Sequence, residues 1–429
     1  MALVSVGMMT AQTDKAAAAA AKEAAKALKA EIKAANKDLK TAQSVLATDG
    51  GNMDEAMTYA EKAMANPHTN GLAETWNTAG QIQKKIYDKE NEKMYLQQAY
   101  SEDRFFGSLS KMFSYFQKCD EIEQQPNAKG KVVYKFRPIN AELLNSIRPN
   151  LVSGGVTYFN NDKNEMAYQL FSQYIESAEY PMLSQYNIVA SDTLRTLVAY
   201  YASLAGMKME DYDKALKYID MAVDNAEVGE TAMTYKAMAY ASKGDSLGWV
   251  NVLKEGVEKF PSKDYFYSNL ISYYNEKGQN AELLAFANEM LAKNPQPIFV
   301  FVKGFLAQND KDYDAAIEHY KKAIEMDPDY TGALRNIAIC YVQKAQDKSD
   351  AISSLSMKSK EYKSGMEEVK EYYKLAMPIY QKLRALDEAT EEDKRDPEVR
   401  TSWTTGLYTC YYMLNMGEEL KEMEQILGL

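Results

Sequence analysis

Residues 304–328 read GFLAQNDKDYDAAIEHYKKAIEMDP, and this stretch determines how the rest of the chain is interpreted. Two runs of helical composition flank the polar break at 309–312, and Pro328 ends the second run because proline cannot continue a helix. Gly304 and Ala316 place one small residue on each run, as a close crossing of two helices requires. The stretch therefore predicts a pair of antiparallel helices.

Glycine and proline residues recur at a nearly constant spacing in this part of the chain. Gly278 lies 34 residues after Gly244, Pro295 lies 34 residues after Pro261, and Pro328 follows Pro295 after 33 more. Self-similarity with a period of this length is the sequence signature of a repeat array. An array replaces the expectation of about three separate domains that a chain of 429 residues would otherwise raise.

The residues of the best unit resemble the tetratricopeptide repeat, whose unit is a helix pair with small residues at the crossing, an aromatic residue on the second helix and a final proline. The matching residues are Gly304, Tyr313, Ala316, Tyr320, Ala323 and Pro328. The resemblance implies that Gly304 lets the second helix approach at Ala316 and that Tyr320 fills the space toward the next repeat. It predicts an all-α fold, an α-solenoid of about nine such helix pairs that forms a superhelix.

The register extends upstream and downstream with varying regularity. First-helix patterns occur at 75–80, 151–158, 240–244, 274–278, 334–341 and 403–413. The partner of 334–341 arrives late, at Ala376 and Tyr380, so about 26 residues are inserted there, and they are Ser-rich over 349–364. The stretch 87–136 fits the repeat weakly, and its segment 129–134 is interpreted as either a loop or a short strand.

These patterns divide the chain into four segments. The predicted division is a signal-peptide remnant at 1–11, degenerate helix pairs at 12–186, regular repeats at 187–346, and an enlarged repeat with C-terminal capping helices at 347–429.

Residues 13–48 contain neither proline nor glycine and predict one long helix. Its apolar residues alternate at spacings of four and three and form one narrow seam: Ala21, Ala25, Leu28, Ile32, Ala35, Leu39, Ala42 and Leu46. Because Gly50 and Gly51 break the helix and a new helical pattern follows from Met53 to Met64, we expect the seam to pack within the chain. Self-association through the 15–48 helix is the alternative.

The N-terminal residues suggest export. The apolar run 2–9 is followed by Thr10, Ala11 and Gln12, which is typical of the end of a secretory signal, although a frayed apolar N-terminus gives the same pattern. Together with the repeat array, the chain resembles exported, cell-envelope tetratricopeptide proteins of Gram-negative bacteria. We therefore expect a periplasmic or envelope-associated protein without an integral membrane span.

Composition argues against several functional classes. Fifty Lys and Arg against 61 Asp and Glu give a net charge of −11, which disfavours nucleic acid as a partner. Two histidines and three widely spaced cysteines, Cys119, Cys340 and Cys410, offer little for a metal site and predict buried thiols rather than disulfides. Since the common phosphate, zinc and nucleophile motifs are also missing from the sequence, we predict no catalytic residue, no metal and no cofactor.

The resemblance also implies where a partner binds, because positions 2, 5, 9 and 12 of each unit face the concave side of such arrays. The resulting ligand-binding prediction comprises Tyr265, Ser272, Asn275, Phe301, Phe305, Gln308 and Arg335, with Ser268, Ile298, Gly332, Ile339 and Val342 at the remaining positions. Phe301 and Phe305 would accept apolar side chains, and the amides would pair with a peptide backbone. Alternatively, both phenylalanines bury against neighbouring helices.

The predicted function is a non-enzymatic scaffold that binds a segment of a partner protein in its concave groove. Two other functions fit an all-α array. One is a glycan-binding uptake protein, and the other is an all-α glycoside hydrolase, which needs two carboxylates facing across a cleft.

Overall fold

The computed structural model describes residues 2–127 and 129–429, the side chains of 2–20 and of Asp264 excepted. The described residues form helices, turns and irregular segments without any strand, which confirms the predicted all-α class. The chain divides into two compact units, Met1–Trp249 and Val250–Leu429. The signal-peptide prediction for 1–11 concerns side chains outside the described ones and stays a prediction, as does the four-segment division.

The first unit contains twelve described helices. They are α1 (Ala2–Ala47), α2 (Met53–Ala65), α3 (Ala73–Tyr95), α4 (Glu102–Glu123), α5 (Arg137–Ile147), α6 (Pro149–Asn160), α7 (Asn164–Ser177), α8 (Ile188–Ser191), α9 (Leu194–Lys208), α10 (Tyr212–Lys217), α11 (Ile219–Val223) and α12 (Gly229–Ser242). A short 3₁₀ helix, Pro181–Tyr186, precedes α8.

Nine helices follow, and the division between the units falls inside the first of them. They are α13 (Ser246–Lys259), α14 (Asp264–Lys277), α15 (Asn280–Lys293), α16 (Pro297–Asn309), α17 (Tyr313–Met326), α18 (Thr331–Ile352), α19 (Lys360–Ala389), α20 (Pro397–Met413) and α21 (Gly417–Leu427). Among the described residues, neighbouring helices that pack on each other include α1 with α2, α3 with α4, α6 with α7, α14 with α15, α16 with α17, α18 with α19 and α20 with α21, and α9 packs on the broken helix α10–α11.

The predicted repeat register is accurate from α14 to the start of α18. Helices α14, α16 and α18 begin where the sequence units begin, and Gly278 ends α14 in the left-handed region at φ +66°. A glycine suits this position because it lacks the Cβ that crowds a left-handed backbone. Each of α13, α15 and α17 ends two residues before a proline of the repeat.

Glycines on one helix receive aromatic rings from its partner. A Cβ atom added at Gly304 would lie 2.6 Å from the ring of Tyr320, which is fully buried. The same arrangement joins Gly80 to Phe116 and Gly155 to Phe171, whereas Gly406 on α20 receives the ring of Tyr380 from α19 of the preceding pair. The space at Gly304 is therefore filled by the ring of Tyr320 rather than by the backbone at Ala316, and the Tyr320 hydroxyl extends to Asn336 of the next pair.

Only part of the seam on α1 packs within the chain. Ala35, Leu39 and Ala42 are buried, and Ala42 belongs to a core formed with α2 and α3. Upstream, Leu28 is 46% exposed and Ile32 is 37% exposed. The helix hairpin itself is as predicted, because α2 begins at Met53 and the side chain of Asn52 accepts hydrogen bonds from its first N–H groups. The prediction of intramolecular packing is thus confirmed for the second half of the seam only.

The insertion near the C-terminus lengthens two helices rather than forming a long loop. Helix α18 has 22 residues and α19 has 30, against 13 and 14 in the preceding pair. Gly365 at the start of α19 packs on Ile352 at the end of α18, so the extended part is itself a helix pair. Only 353–359 remain as the connection between the two helices.

Residues 129–134 form a loop and no strand. The loop ends where the Glu123 carboxylate accepts the backbone N–H groups of Lys135, Phe136 and Arg137 at 2.7, 2.8 and 3.0 Å. These N–H groups belong to the start of α5, which has no side-chain cap of its own. A remote carboxylate thus stabilises the N-terminus of α5.

Candidate functional site

A groove of about 980 Å³ lies in the unit Val250–Leu429. Its walls are α14, α16 and α18, the first helices of three successive pairs, together with the beginning of α20, the first helix of the fourth. The repeat places these helices side by side because each pair packs on the next through equivalent faces. The apolar part of the lining includes Tyr267, Ile271, Ile298, Phe301, Phe305 and Tyr330.

Phe301 is the centre of an aromatic cluster on the groove floor. Its ring centroid lies 5.3 Å from that of Tyr320 and 5.5 Å from that of Tyr330. Phe301 and Phe305 are both partly exposed, so each packs against its neighbours and still presents surface to the groove. Burial against neighbouring helices is thus only partial, and the prediction that both phenylalanines accept apolar side chains of a ligand stays a prediction.

A chain of hydrogen bonds runs beneath the aromatic cluster. Asn336 Nδ2 donates to Tyr320 Oη at 3.1 Å, Tyr320 Oη donates to Gln308 Oε1 at 2.8 Å, and Gln308 Nε2 donates to Gln343 Oε1 at 3.2 Å. Burial raises the pKa of Tyr320, which keeps its hydroxyl protonated as a donor. Both ends of the Gln308 amide are thus engaged within the chain, and the network fixes the rotamers on the floor.

Charged groups line one side of the groove. Arg335 Nη1 lies 2.7 Å from Glu398 Oε2, and the Arg335 side chain is only 29% exposed. The other lining carboxylates are those of Asp327, Asp329 and Asp396, so the groove has four carboxylates against one guanidinium. This side is therefore acidic.

The structure brings together some of the predicted binding residues. Phe301, Phe305, Gln308 and Arg335 line the groove, as do Ser268, Ile298 and Gly332 of the same repeat positions. Ile339 borders a neighbouring pocket of about 500 Å³ that also contains Arg335.

Three predicted residues lie outside the groove lining. The ring of Tyr265 packs edge-on against Phe266 with centroids 5.5 Å apart. Ser272 and Asn275 are exposed, and Asn275 Oδ1 accepts a hydrogen bond from Asn309, which does line the groove. A role for Tyr265, Ser272 and Asn275 in binding stays a prediction.

Sequence reasoning missed many of the lining residues, among them Tyr267, Asp327, Asp329, Tyr330, Asp396 and Glu398. Three of them, Asp327, Asp329 and Tyr330, stand in the turn around Pro328, and the repeat pattern used only helix positions. Asp396 and Glu398 belong to α20, where the insertion had displaced the register. The charged run from 391 to 398 was a signal that could have drawn attention to α20.

The described residues contain no cluster of three or more His, Cys, Asp or Glu arranged to hold a metal ion. Cys119, Cys340 and Cys410 are buried and unpaired, as predicted, and burial raises the pKa of each thiol to about 12. Within the part of the chain that the structure describes, no helix combines the length and apolar character that crossing a bilayer requires.

Part of the chain matches a known family model, and several solved structures are similar to the chain at low sequence identity. Residues 307–357, which include α17 and α18, match the tetratricopeptide-repeat family model. Among solved structures, a TPR-repeat protein from Bacteroides fragilis is 16% identical, with 60% of this chain and 97% of that chain covered at a TM-score of 0.32. The C-terminal part of a TPR repeat-containing protein from Cytophaga hutchinsonii is 13% identical, with 63% and 97% covered at 0.29.

Yeast Tom70 is 15% identical, with 84% of each chain covered at a TM-score of 0.28. At these scores the solved structures do not bear on the ligand of this chain. The repeat period, the helix pair and the family match coincide over α17 and α18. This part of the chain therefore matches a tetratricopeptide repeat.

Proposed function

We propose that this protein is a non-enzymatic scaffold that binds a segment of a partner protein in the groove formed by α14, α16, α18 and α20. The observation that carries the proposal is the aromatic floor around Phe301, which stays partly exposed above a fixed hydrogen-bond network. An apolar surface with fixed side chains loses little entropy when a ligand binds. Tetratricopeptide repeats are typical of protein–protein interaction, and the groove offers the surface for it.

The lining carboxylates support a binding role over hydrolysis. Asp327 Oδ1 accepts the N–H of Asp329, Asp396 Oδ1 accepts the N–H of Glu398, and Glu398 pairs with Arg335. These contacts give the three carboxylates local capping and ion-pairing roles, which a binding groove accommodates without the catalytic pair of carboxyl groups that a glycosidase requires. We therefore rank the hydrolase below the scaffold.

The experiment that tests this function fills the groove without removing a native contact. Gly332 lies in the lining, and a Cβ built on it meets only the rings of Tyr330 and Phe301, at 3.6 to 3.7 Å. Gly332→Phe should therefore fold and occupy the groove. Gly417→Phe is the matched control, because Gly417 also stands in the first turn of a helix, has no atom within 4 Å of its added Cβ and lies outside the groove.

The readout is a pull-down from an extract of the native source with the wild type and both variants, after circular dichroism has shown equal helicity. We expect a discrete partner to be retained by the wild type and Gly417→Phe and lost by Gly332→Phe. Retention by all three would place binding outside the groove. If no protein is captured but a glycan array shows binding that Gly332→Phe abolishes, the glycan-binding alternative replaces the proposal.

We also propose that the protein is exported to the periplasm or cell envelope, on the basis of the apolar run 2–9 followed by Thr10, Ala11 and Gln12. Fractionation of native cells with a periplasmic and a cytoplasmic marker tests this. Recovery with the cytoplasmic marker would contradict it.

A second candidate role is self-association through the exposed part of the α1 seam. Leu28 and Ile32 continue the line of Ala35 and Leu39 on one face of the helix but are exposed. An apolar line at this spacing is suited to pairing with a second helix. Sedimentation velocity should give a concentration-dependent mass for the wild type and Lys29→Glu but a monomer for Leu28→Glu/Ile32→Glu. A monomer at all concentrations for the wild type would remove this role.

A further inference from the structure

The acidic side of the groove is only partly neutralised. Glu398 pairs with Arg335 at 2.7 Å, and Asp329 has Lys382 at 3.6 Å. Over the described residues, Asp327 and Asp396 have no Lys, Arg or His within 4.0 Å. Both are exposed at the groove edge, Asp327 before α18 and Asp396 before α20. Two carboxylates therefore remain without a cation.

These two carboxylates also keep unused acceptor capacity. Asp327 Oδ1 accepts one backbone N–H at 3.1 Å, and Asp396 Oδ1 accepts one at 2.8 Å. An ionised carboxylate has about four acceptor positions on its two oxygens, so Oδ2 of each can still accept hydrogen bonds from a ligand. The local contacts hold both carboxylates in place and reduce the entropy that a ligand must remove.

The single guanidinium is not free to receive an anion. Arg335 Nη1 is held by Glu398, and Arg335 Nε is buried without an acceptor among the described residues. A carboxylate ligand that pairs with Arg335 would compete with Glu398 for it and would lie in a groove that is also lined by Asp327 and Asp396. Repulsion between like charges disfavours that arrangement.

We propose that the segment bound in this groove is apolar or aromatic with lysine or arginine residues beside the apolar ones, and that acidic segments and free C-terminal carboxylates are rejected. This inference rests on the proposed function of the same groove. The apolar side chains contact the surface formed by Phe301 and Phe305, and the cations pair with Asp327 and Asp396 at the edge. The charge of the groove thus selects among partners whose apolar content is the same.

The test uses the full-length protein and short fluorescein-labelled peptides of equal length. The peptides share alternating Leu and Tyr residues and have lysine, serine or glutamate at all other positions. Fluorescence anisotropy gives their affinities at low and high salt. Asp327→Asn/Asp396→Asn removes the two charges but retains the backbone N–H hydrogen bond that each side chain accepts, because asparagine replaces aspartate as a capping acceptor.

The matched control is Asp245→Asn/Asp312→Asn. Asp245 and Asp312 accept a backbone N–H at 2.9 and 3.1 Å, respectively, each at a helix start, and lie outside the groove lining, so this variant has the same net charge as Asp327→Asn/Asp396→Asn. We expect the lysine peptide to bind the wild type most tightly and more weakly at high salt. Asp327→Asn/Asp396→Asn should weaken its binding about fivefold to tenfold, and the control should not.

The outcomes separate this inference from the function on which it rests. Equal or tighter binding of the serine or glutamate peptide, with binding still abolished by Gly332→Phe, overturns the charge preference and leaves the groove as the binding site. If the control variant loses the same affinity, the effect comes from net charge, and the proposed charge preference of the groove is also overturned. If no peptide binds, or if Gly332→Phe binds as the wild type does, both proposals are wrong.

Discussion

At several helix contacts, an aromatic ring occupies the space that a glycine on the neighbouring helix leaves open. Gly304 lacks a side chain where the fully buried Tyr320 ring lies, and Gly332 lacks one where the groove is open. The sequence predicted that Gly304 needs to be small but not which group uses the space. Repeat spacing indicates where two helices cross. Which side chain fills the space beside Gly304 depends on the rotamer of Tyr320, which the spacing does not determine.

A pair of substitutions tests this difference. Gly304→Ala should lower the free energy of unfolding by about 1–3 kcal/mol, because its Cβ would lie 2.6 Å from a ring that cannot move away. Gly332→Ala should leave it unchanged or raise it by up to about 1 kcal/mol, because alanine favours the helix and the nearest atoms are 3.6 Å away. Denaturant unfolding measures both. Equal effects would contradict the assigned packing.

The thiols provide a second prediction for single residues. Burial raises the pKa of Cys119, Cys340 and Cys410 to about 12, so hardly any thiolate exists at pH 8. A thiol reagent should therefore react with none of the three in the native protein and with all three in denaturant. Rapid reaction of a native cysteine would show that it is not buried as described.

The positions of some helices could be predicted from the sequence, and those of others could not. The starts of α14, α16 and α18 were predictable because glycine and proline punctuate each unit at a fixed period. The groove residues on α16 and α18 followed from the same register. The residues that the beginning of α20 contributes to the groove could not be predicted in this way. The inserted residues lengthen α18 and α19 by helical turns that the repeat pattern does not contain.

Helix α1 should behave as two segments in solution. Residues 21–34 are all exposed, whereas Ala35, Leu39 and Ala42 anchor the rest of the helix on α2 and α3. Hydrogen exchange should thus be fast over 21–34 and slow over 35–47, because exposed helix opens locally without disrupting a core. Equal protection of both segments in the wild type but not in Leu28→Glu/Ile32→Glu would indicate that self-association covers the seam.

The whole molecule contains many tyrosines whose protonation state depends on folding. Burial raises the pKa of Tyr158, Tyr320 and Tyr380, as it does for the three cysteines. The native state therefore keeps protons that the unfolded state releases above about pH 8.5 for thiols and about pH 10 for phenols. Because the unfolded state then binds fewer protons, the free energy of unfolding must decrease as the pH rises.

Lys217 acts in the same direction, since its hydrogen bond to Glu176 raises its pKa in the folded protein and that stabilisation is lost when the amine deprotonates. Unfolding in urea between pH 7 and pH 11 should show stability falling above about pH 8.5 and falling more steeply above about pH 10. A constant stability over this range would contradict the burial of these side chains. Tyr320→Phe serves as the control, because it should make the free energy of unfolding fall less steeply with pH above about pH 10.

The central claim is that a partner segment occupies the groove, and site-specific photocrosslinking tests it most directly. A benzophenone amino acid is placed at Phe305 in the groove or, as control, at Tyr412, which is 62% exposed and outside it. After irradiation in native cells, we expect a discrete protein adduct from position 305, none from position 412, and loss of the adduct when Gly332→Phe is also present. The same adduct from position 412, or an adduct that persists with Gly332→Phe, would contradict the account.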